Sequence, residues 1–208
     1  MTPYNDELLF EQDFVKYLYT ACGWEKNIIK NPTEEDLIVN WAQILFDNNK
    51  DADHLNGHPL TKGEMQQIVS IVDSLKSPYK LNQFINGGSV TINRDNPDDP
   101  NNLGKPVTLK IYSRNEIAAG SSRYQIVEQP RFKTTNNVYP TRRVDVMLRI
   151  NGMPVYHIEL KKSNVDISQA ERQIEKYMAN NAFSGLFSLI QVFIAMNPED
   201  AVYFANPG

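Results

Sequence analysis

Arg143-Val144-Asp145-Val146-Met147-Leu148-Arg149-Ile150, then Asn151-Gly152-Met153-Pro154, then Val155-Tyr156-His157-Ile158-Glu159-Leu160-Lys161: this stretch reads as two strands joined by a turn. On both strands the even-numbered positions are mostly apolar: Val144, Val146, Leu148 and Ile150, then Tyr156, Ile158 and Leu160. The odd positions carry Asp145 and Arg149, then Glu159 and Lys161. Residues two apart on a strand share a face. If the two apolar faces coincide, Asp145 joins Glu159 and Lys161 in one patch. Two carboxylates and an ammonium arranged in this way can hold a divalent cation and activate a water for phosphodiester cleavage. A two-residue Asn-Gly turn opposes this, because pairing Ile150 with Met153 sets Asp145 against Ile158. The shared patch therefore requires an odd-length loop or a bulge, which Pro154 favours because it cannot donate a ladder bond.

Working outward, the first 80 or so residues have helical periodicity. A helix is expected from Glu7 to Cys22, stopped by Gly23, with Leu8, Phe14, Val15, Leu18 and Cys22 as its apolar positions. Thr33 is expected to cap a second helix running to Phe46. Thr61-Lys62-Gly63-Glu64 is a capping-box pattern opening a third, to about Leu75. Strands are expected at Ser89–Asn93, Val107–Tyr112 and Tyr124–Gln129. The Asn-, Asp- and Pro-rich run from Arg94 to Lys105 reads as a surface loop. Ser168-Gln169-Ala170-Glu171 is a second capping-box pattern, opening a helix to about Asn181. The apolar run from Leu186 to Met196 reads as a buried strand, and the chain stops shortly after it. This order predicts an α/β fold: a central mixed sheet flanked by helices, in one domain over 1–208, with residues 1–85 mainly helical and 86–208 forming the sheet core.

Charge is unevenly spread. Residues 1–104 hold 8 basic and 16 acidic side chains, residues 105–162 hold 11 and 4, and the whole chain is −4. The basic excess surrounds the acid–lysine triplet, which suits a polyanionic substrate, although exposed strands often carry Lys and Arg. No apolar run approaches the ~20 residues needed to span a membrane, and the N-terminus lacks the pattern of a signal peptide. The single cysteine, Cys22, excludes an internal disulfide and suits the cytoplasm. No phosphate-binding Gly-x-x-x-x-Gly-Lys-Ser/Thr motif occurs.

The candidate site is assembled residue by residue. Asp145 and Glu159 are candidate ligands for Mg²⁺ or Mn²⁺, with the Leu160 carbonyl as a third donor. Lys161 would orient the attacking water and stabilise charge developing on phosphorus. On the following helix Gln173 and Tyr177 are spaced i, i+4. Ile174, Tyr177 and Met178 form a stripe that would dock on the sheet and aim Gln173 at the Glu159 edge. Glu11 falls at the centre of the apolar stripe of the first helix, where an acid is costly unless paired; it reaches either the metal or an ordinary cationic partner. His157, on the Glu159 face, reads as a hydrogen-bonded surface histidine. Each element also has a bland reading: a solvated charged hairpin, a boundary Gln and a snorkelling Glu.

Together these residues resemble a known family. Phe10-Glu11-Gln12-Asp13-Phe14 with Gly23-Trp24, Arg143-Val144-Asp145, Asn151-Gly152-Met153-Pro154, Ile158-Glu159-Leu160-Lys161-Lys162, and Gln169-Ala170 with Gln173-x-x-x-Tyr177 look like the N-terminal region of type I restriction enzyme R (motor) subunits. That region is a PD-(D/E)xK nuclease domain of the RecB-like branch, which carries the Gln-x-x-x-Tyr element. Val144 stands where the nuclease name implies Pro. The resemblance implies a Mg²⁺-dependent endonuclease acting on double-stranded DNA. It also implies an ATP-dependent translocase later in the same polypeptide, and modification and specificity subunits that recognise the DNA. This chain would then be a fragment of that larger subunit. The alternatives are another nuclease of the same fold, such as a repair exonuclease or junction resolvase, and a catalytically idle module that docks DNA or partner subunits.

Overall fold

Side-chain caps set where the N-terminal helices begin. In the computed structural model, which describes residues 6–75, 77–111, 122–133, 141–179 and 183–206, Asp6 accepts the Leu8 amide at 2.9 Å and opens α1 (Glu7–Ala21). Thr33 with Asp36 and Thr61 with Glu64 form full capping boxes for α2 (Glu34–Asn49) and α3 (Lys62–Ser74). Ser77 caps α4 (Pro78–Gly87), a helix the apolar spacing did not announce. The helix α5 (Ser168–Ala179) starts differently from expectation. Ser168 lies inside the helix, and its amide donates to Asp166 Oδ1 at 2.9 Å, so Asp166 rather than Ser168 takes the orphan N–H.

Strands follow in chain order: β1 (Ile29–Lys30), β2 (Ser89–Asn93), β3 (Pro106–Lys110), β4 (Tyr124–Glu128), β5 (Arg131–Lys133), β6 (Thr141–Arg143), β7 (Val146–Ile150), β8 (Met153–Leu160), β9 (Val192–Met196) and β10 (Ala201–Ala205). Six of them form one mixed sheet in the order β1-β4-β7-β8-β9-β10, parallel at β1/β4 and β8/β9 and antiparallel elsewhere. The pairs β2/β3 and β5/β6 are separate two-stranded ribbons. The fold class is thus α/β, as the sequence led us to expect. The 186–196 run is not one strand. A 3-10 turn (Gly185–Leu189) precedes β9, and β10 then returns beside it.

Both faces of the sheet are covered. Phe10, Val15 and Leu18 of α1 pack on Ile126, Val146, Leu148, Ile158 and Leu160. On the other face Leu37, Trp41, Met65, Ile174 and Tyr177 pack with Val127, Met147, Phe193 and Ala195. Each fully buried aliphatic side chain contributes about 1.5–3 kcal/mol. The odd-numbered face of the hairpin is therefore a second buried layer, not a solvated one. Leu8 and Cys22, expected on the buried stripe of α1, are exposed. The 94–105 segment is also tighter than a surface loop: the fully buried Arg94 guanidinium bonds Glu64 at 2.6 Å and Asp99 at 3.2 Å, bracing α3 to the β2–β3 ribbon. Among the described residues no helix is long and apolar enough to cross a membrane.

Candidate active site

The β7–β8 turn resolves the register question. Asn151 (φ +50°) and Gly152 (φ +83°) do form a two-residue turn, with Ile150 opposite Met153 and Arg149 opposite Pro154. Leu148 then pairs with Tyr156, so Val155 is left without a partner. This bulge moves Val146 opposite Ile158. The next residues, Asp145 and Glu159, come together as a result. Asp145 Oδ2 accepts the Leu160 amide at 2.7 Å, which holds the carboxylate toward β8. Gly152 cannot be replaced cheaply: a Cβ there would lie 2.5 Å from Trp41 Cδ1 at a left-handed φ.

Around the pair the side chains interlock. Gln173 Nε2 donates to Glu159 Oε2 at 2.6 Å and lies 2.7 Å from Tyr177 Oη, and Tyr177 donates onward to the Arg143 carbonyl at 3.0 Å. The i, i+4 spacing on α5 thus ties β8 to the start of the hairpin. Lys161 Nζ donates to the Leu160 carbonyl at 2.8 Å and sits 3.5 Å from Glu7 Oε1. The carbonyl considered as a metal donor therefore carries the lysine here. Glu11 is buried, and both its oxygens accept from Gln129 Nε2 at 3.3 Å. Gln129 has φ +54°, and its amide donates to the Asp145 carbonyl at 2.9 Å, so it links Glu11 to the Asp145 backbone.

His157 is not a surface residue. It is fully buried among Phe132, Tyr177, Phe183 and Phe193, with ring centroids 5.0–6.1 Å away. Burial pushes its pKa down to about 3, so the imidazole is neutral at physiological pH. Its Nε2 lies 3.1 Å from Glu159 Oε1. Neither atom has a well-aligned hydrogen bond. With the imidazole neutral, the contact is not an ion pair.

Burial dominates the acids. It pushes Glu159 up to about 8, against the opposing Lys161 charge and a hydrogen bond with Asp145. Asp145 is raised to about 7 by burial and then by the Glu159 charge, with the Leu160 amide and Lys161 opposing. Glu11 is raised to about 7 by burial, against its bond to Gln129. Two carboxyls that both resist ionisation, one with an unsatisfied buried oxygen, fit a divalent cation, which would favour both charged forms. Among the described residues no group of three or more His, Cys, Asp or Glu side chains is placed to hold a metal ion. Two carboxylates suffice for Mg²⁺, which retains waters and takes substrate phosphate oxygens.

The folded pKa values lie above the ordinary values of 3.8 for Asp145 and 4.5 for Glu159. The folded state thus binds more protons than the unfolded state between about pH 4 and pH 8, and stability falls as pH rises through that window. In EDTA the melting temperature should decline from pH 5 to pH 8. Mg²⁺ or Mn²⁺ should raise it more at pH 8 than at pH 6, and Asp145→Asn should flatten both trends.

Sequence reasoning missed Gln129, Glu7 and the role of His157. Gln129 stood at the end of an expected strand, and only its positive φ, absent from any motif, turns it toward Glu11. His157 was visible as a polar residue at an apolar position.

One end of the mixed α/β sheet thus gathers a carboxylate pair, a lysine and a Gln-x-x-x-Tyr relay. Residues 4–208 match the family described as type I restriction enzyme R protein N terminus, and the chain belongs to it. It is 29% identical over 203 residues to a type I restriction enzyme endonuclease subunit of Staphylococcus aureus (strain COL), covering 98% of this chain and 20% of that protein. The corresponding subunit of Staphylococcus saprophyticus is 30% identical over the same shares. The endonuclease subunit of EcoprrI from Escherichia coli is 42% identical over 66 residues, 31% of this chain and 21% of that protein. The chain spans about one fifth of the length of these curated relatives.

Proposed function

We propose that this chain is the endonuclease domain of a type I restriction enzyme R subunit, hydrolysing phosphodiester bonds of unmodified foreign DNA with Mg²⁺. The observation that carries the reading is the Val155 bulge, which brings Asp145 beside Glu159 with Lys161 two residues further along the chain. Asp145 and Glu159 would hold Mg²⁺ or Mn²⁺, and when bound the ion neutralises charge at the scissile phosphate and lowers the pKa of a water. Lys161 places an ammonium where charge develops on phosphorus. Gln173 holds Glu159 from one side and His157 abuts it from the other. Glu11, through Gln129, keeps a third acid close to Asp145. The relatives are named type I restriction enzyme endonuclease subunits, which supports a role in restriction; the family resemblance would add a cytoplasmic complex with modification and specificity subunits and an ATP-driven motor region in the full-length subunit.

The test is cleavage of a DNA circle by the assembled complex, with Mg²⁺ or with EDTA, for the natural sequence and Asp145→Asn. Cleavage that needs the ion and disappears in the variant supports the reading. Cleavage retained by Asp145→Asn refutes it.

His157 gives a separate expectation. His157→Leu should fold at least as stably, because it removes two buried nitrogens without good partners. Loss of the Glu159 contact should weaken Mn²⁺ binding about 10- to 100-fold. Calorimetric titration with Mn²⁺ alongside a thermal melt reads the two effects independently.

A further inference from the structure

Arg131 and Arg143 stand directly opposite each other on the antiparallel β5–β6 ribbon. Side chains so paired have Cβ atoms about 4.5–5.5 Å apart, where like charges destabilise a ribbon. Both residues are exposed, and neither makes an ion pair among the described residues. Several other basic groups do meet acids. Lys30 meets Glu128, Lys62 meets Glu35, Arg123 meets Glu25, and Arg94 is buried between two acids. The segment 131–143 has four basic residues and no acidic one.

The base of the ribbon is held firmly. Phe132, between the ribbon's outward positions, is fully buried, with its ring 4.1 Å from that of Phe187. The Arg131 amide donates to the Pro32 carbonyl at 2.9 Å, and the Val144 amide to the Pro130 carbonyl at 3.2 Å. The Arg143 carbonyl receives the Tyr177 hydroxyl, and Asp145 lies two residues further on. Arg143 is close enough to favour ionisation of Glu11. The backbone of two arginines that make no ion pair among the described residues is therefore held near the carboxylate pair.

We infer that Arg131 and Arg143 bind the phosphate backbone of DNA and seat the strand next to Asp145 and Glu159. This rests on the nuclease reading for the identity of the polyanion. A phosphate accepted by both guanidiniums offsets their mutual repulsion, and planar guanidiniums suit its oxygens. The contact carries no base information, so it sets position and affinity without sequence preference.

The experiment is equilibrium binding of this chain to a labelled duplex of ~20 bp in EDTA, between about 50 and 200 mM salt. Removing two phosphate contacts should lower the slope of log affinity against log salt by about 1.8, so Arg131→Gln with Arg143→Gln should lose about tenfold less affinity over that range. Each single variant should account for about half of the slope change, and Arg→Lys at both positions should retain it. Melting curves check that the exposed substitutions leave the fold intact. An unchanged slope in the double Gln variant, or no binding by the natural sequence at the lowest salt, overturns the inference. Because EDTA removes metal-dependent cleavage from the measurement, a slope change in a protein that never cuts DNA would keep the contact and refute the nuclease reading alone.

Discussion

Lys161→Ala is expected to lower DNA cleavage by the assembled enzyme about 100- to 1,000-fold, the usual cost of removing one donor aimed at developing charge. Among the described residues the ammonium donates to the Leu160 carbonyl and lies 3.5 Å from the partly exposed Glu7. Its loss should therefore change stability by less than about 1 kcal/mol. On the proposed function the cost would fall on the transition state, because the charge that Lys161 would meet appears only as the phosphorus centre reacts. The ATP-driven translocation proposed for the full-length subunit should continue at its normal rate. Cleavage and translocation assays on the same preparation decide the matter: equal loss of both would point to misfolding, and unchanged cleavage would make this lysine a bystander.

Gln173→Ala and Tyr177→Ala should separate chemistry from stability. Gln173 is only partly buried, and its amide bonds Glu159 and Tyr177. Removing it should cost about 1 kcal/mol of stability and lower cleavage about 10- to 100-fold by freeing one oxygen of Glu159. Tyr177 is 5% exposed, its ring packs near His157 and Phe183, and its hydroxyl anchors the Arg143 carbonyl. Truncation there should cost about 3–5 kcal/mol, a fall of roughly 10 °C in melting temperature for a domain of this size. Tyr177→Phe should restore most of the stability but not the bond to Arg143. If both alanine variants melt alike and cleavage falls only in proportion to unfolding, the pair is structural and carries no chemistry.

The two predictions rest on features that were unequally legible in the sequence. The caps at Thr33 and Thr61 were readable because a capping box is closed within four residues. The β2 strand at Ser89–Asn93 was readable from its alternation and its turn-rich flanks. The α5 helix was readable, but its cap was misplaced by two residues. Asp166 and Ser168 are both good caps, and only the folded chain path chooses Asp166. The short strands β1, β5 and β6 carry too few residues for a periodic signal, and their partners lie far away in sequence. The β10 strand, mostly exposed at the sheet edge, offered no buried face to recognise.

Residue chemistry and local pattern determined the α/β class, the hairpin, the helices that carry Glu11 and Gln173, and the candidate acids and lysine. The need for an odd-length loop or a bulge, if the two acids were to share a face, also followed from counting alternation along the two strands. Whether a loop or a bulge would do it, and that Val155 would be the unpaired residue, did not follow and is seen only in the folded register. Tertiary structure alone also decided that the charged hairpin face is buried. Alternation shows that two faces differ, but not what covers each of them. Burial in turn raises the Asp145 and Glu159 pKa values and lowers that of His157, since desolvation is a property of the surrounding layers and not of the residues themselves.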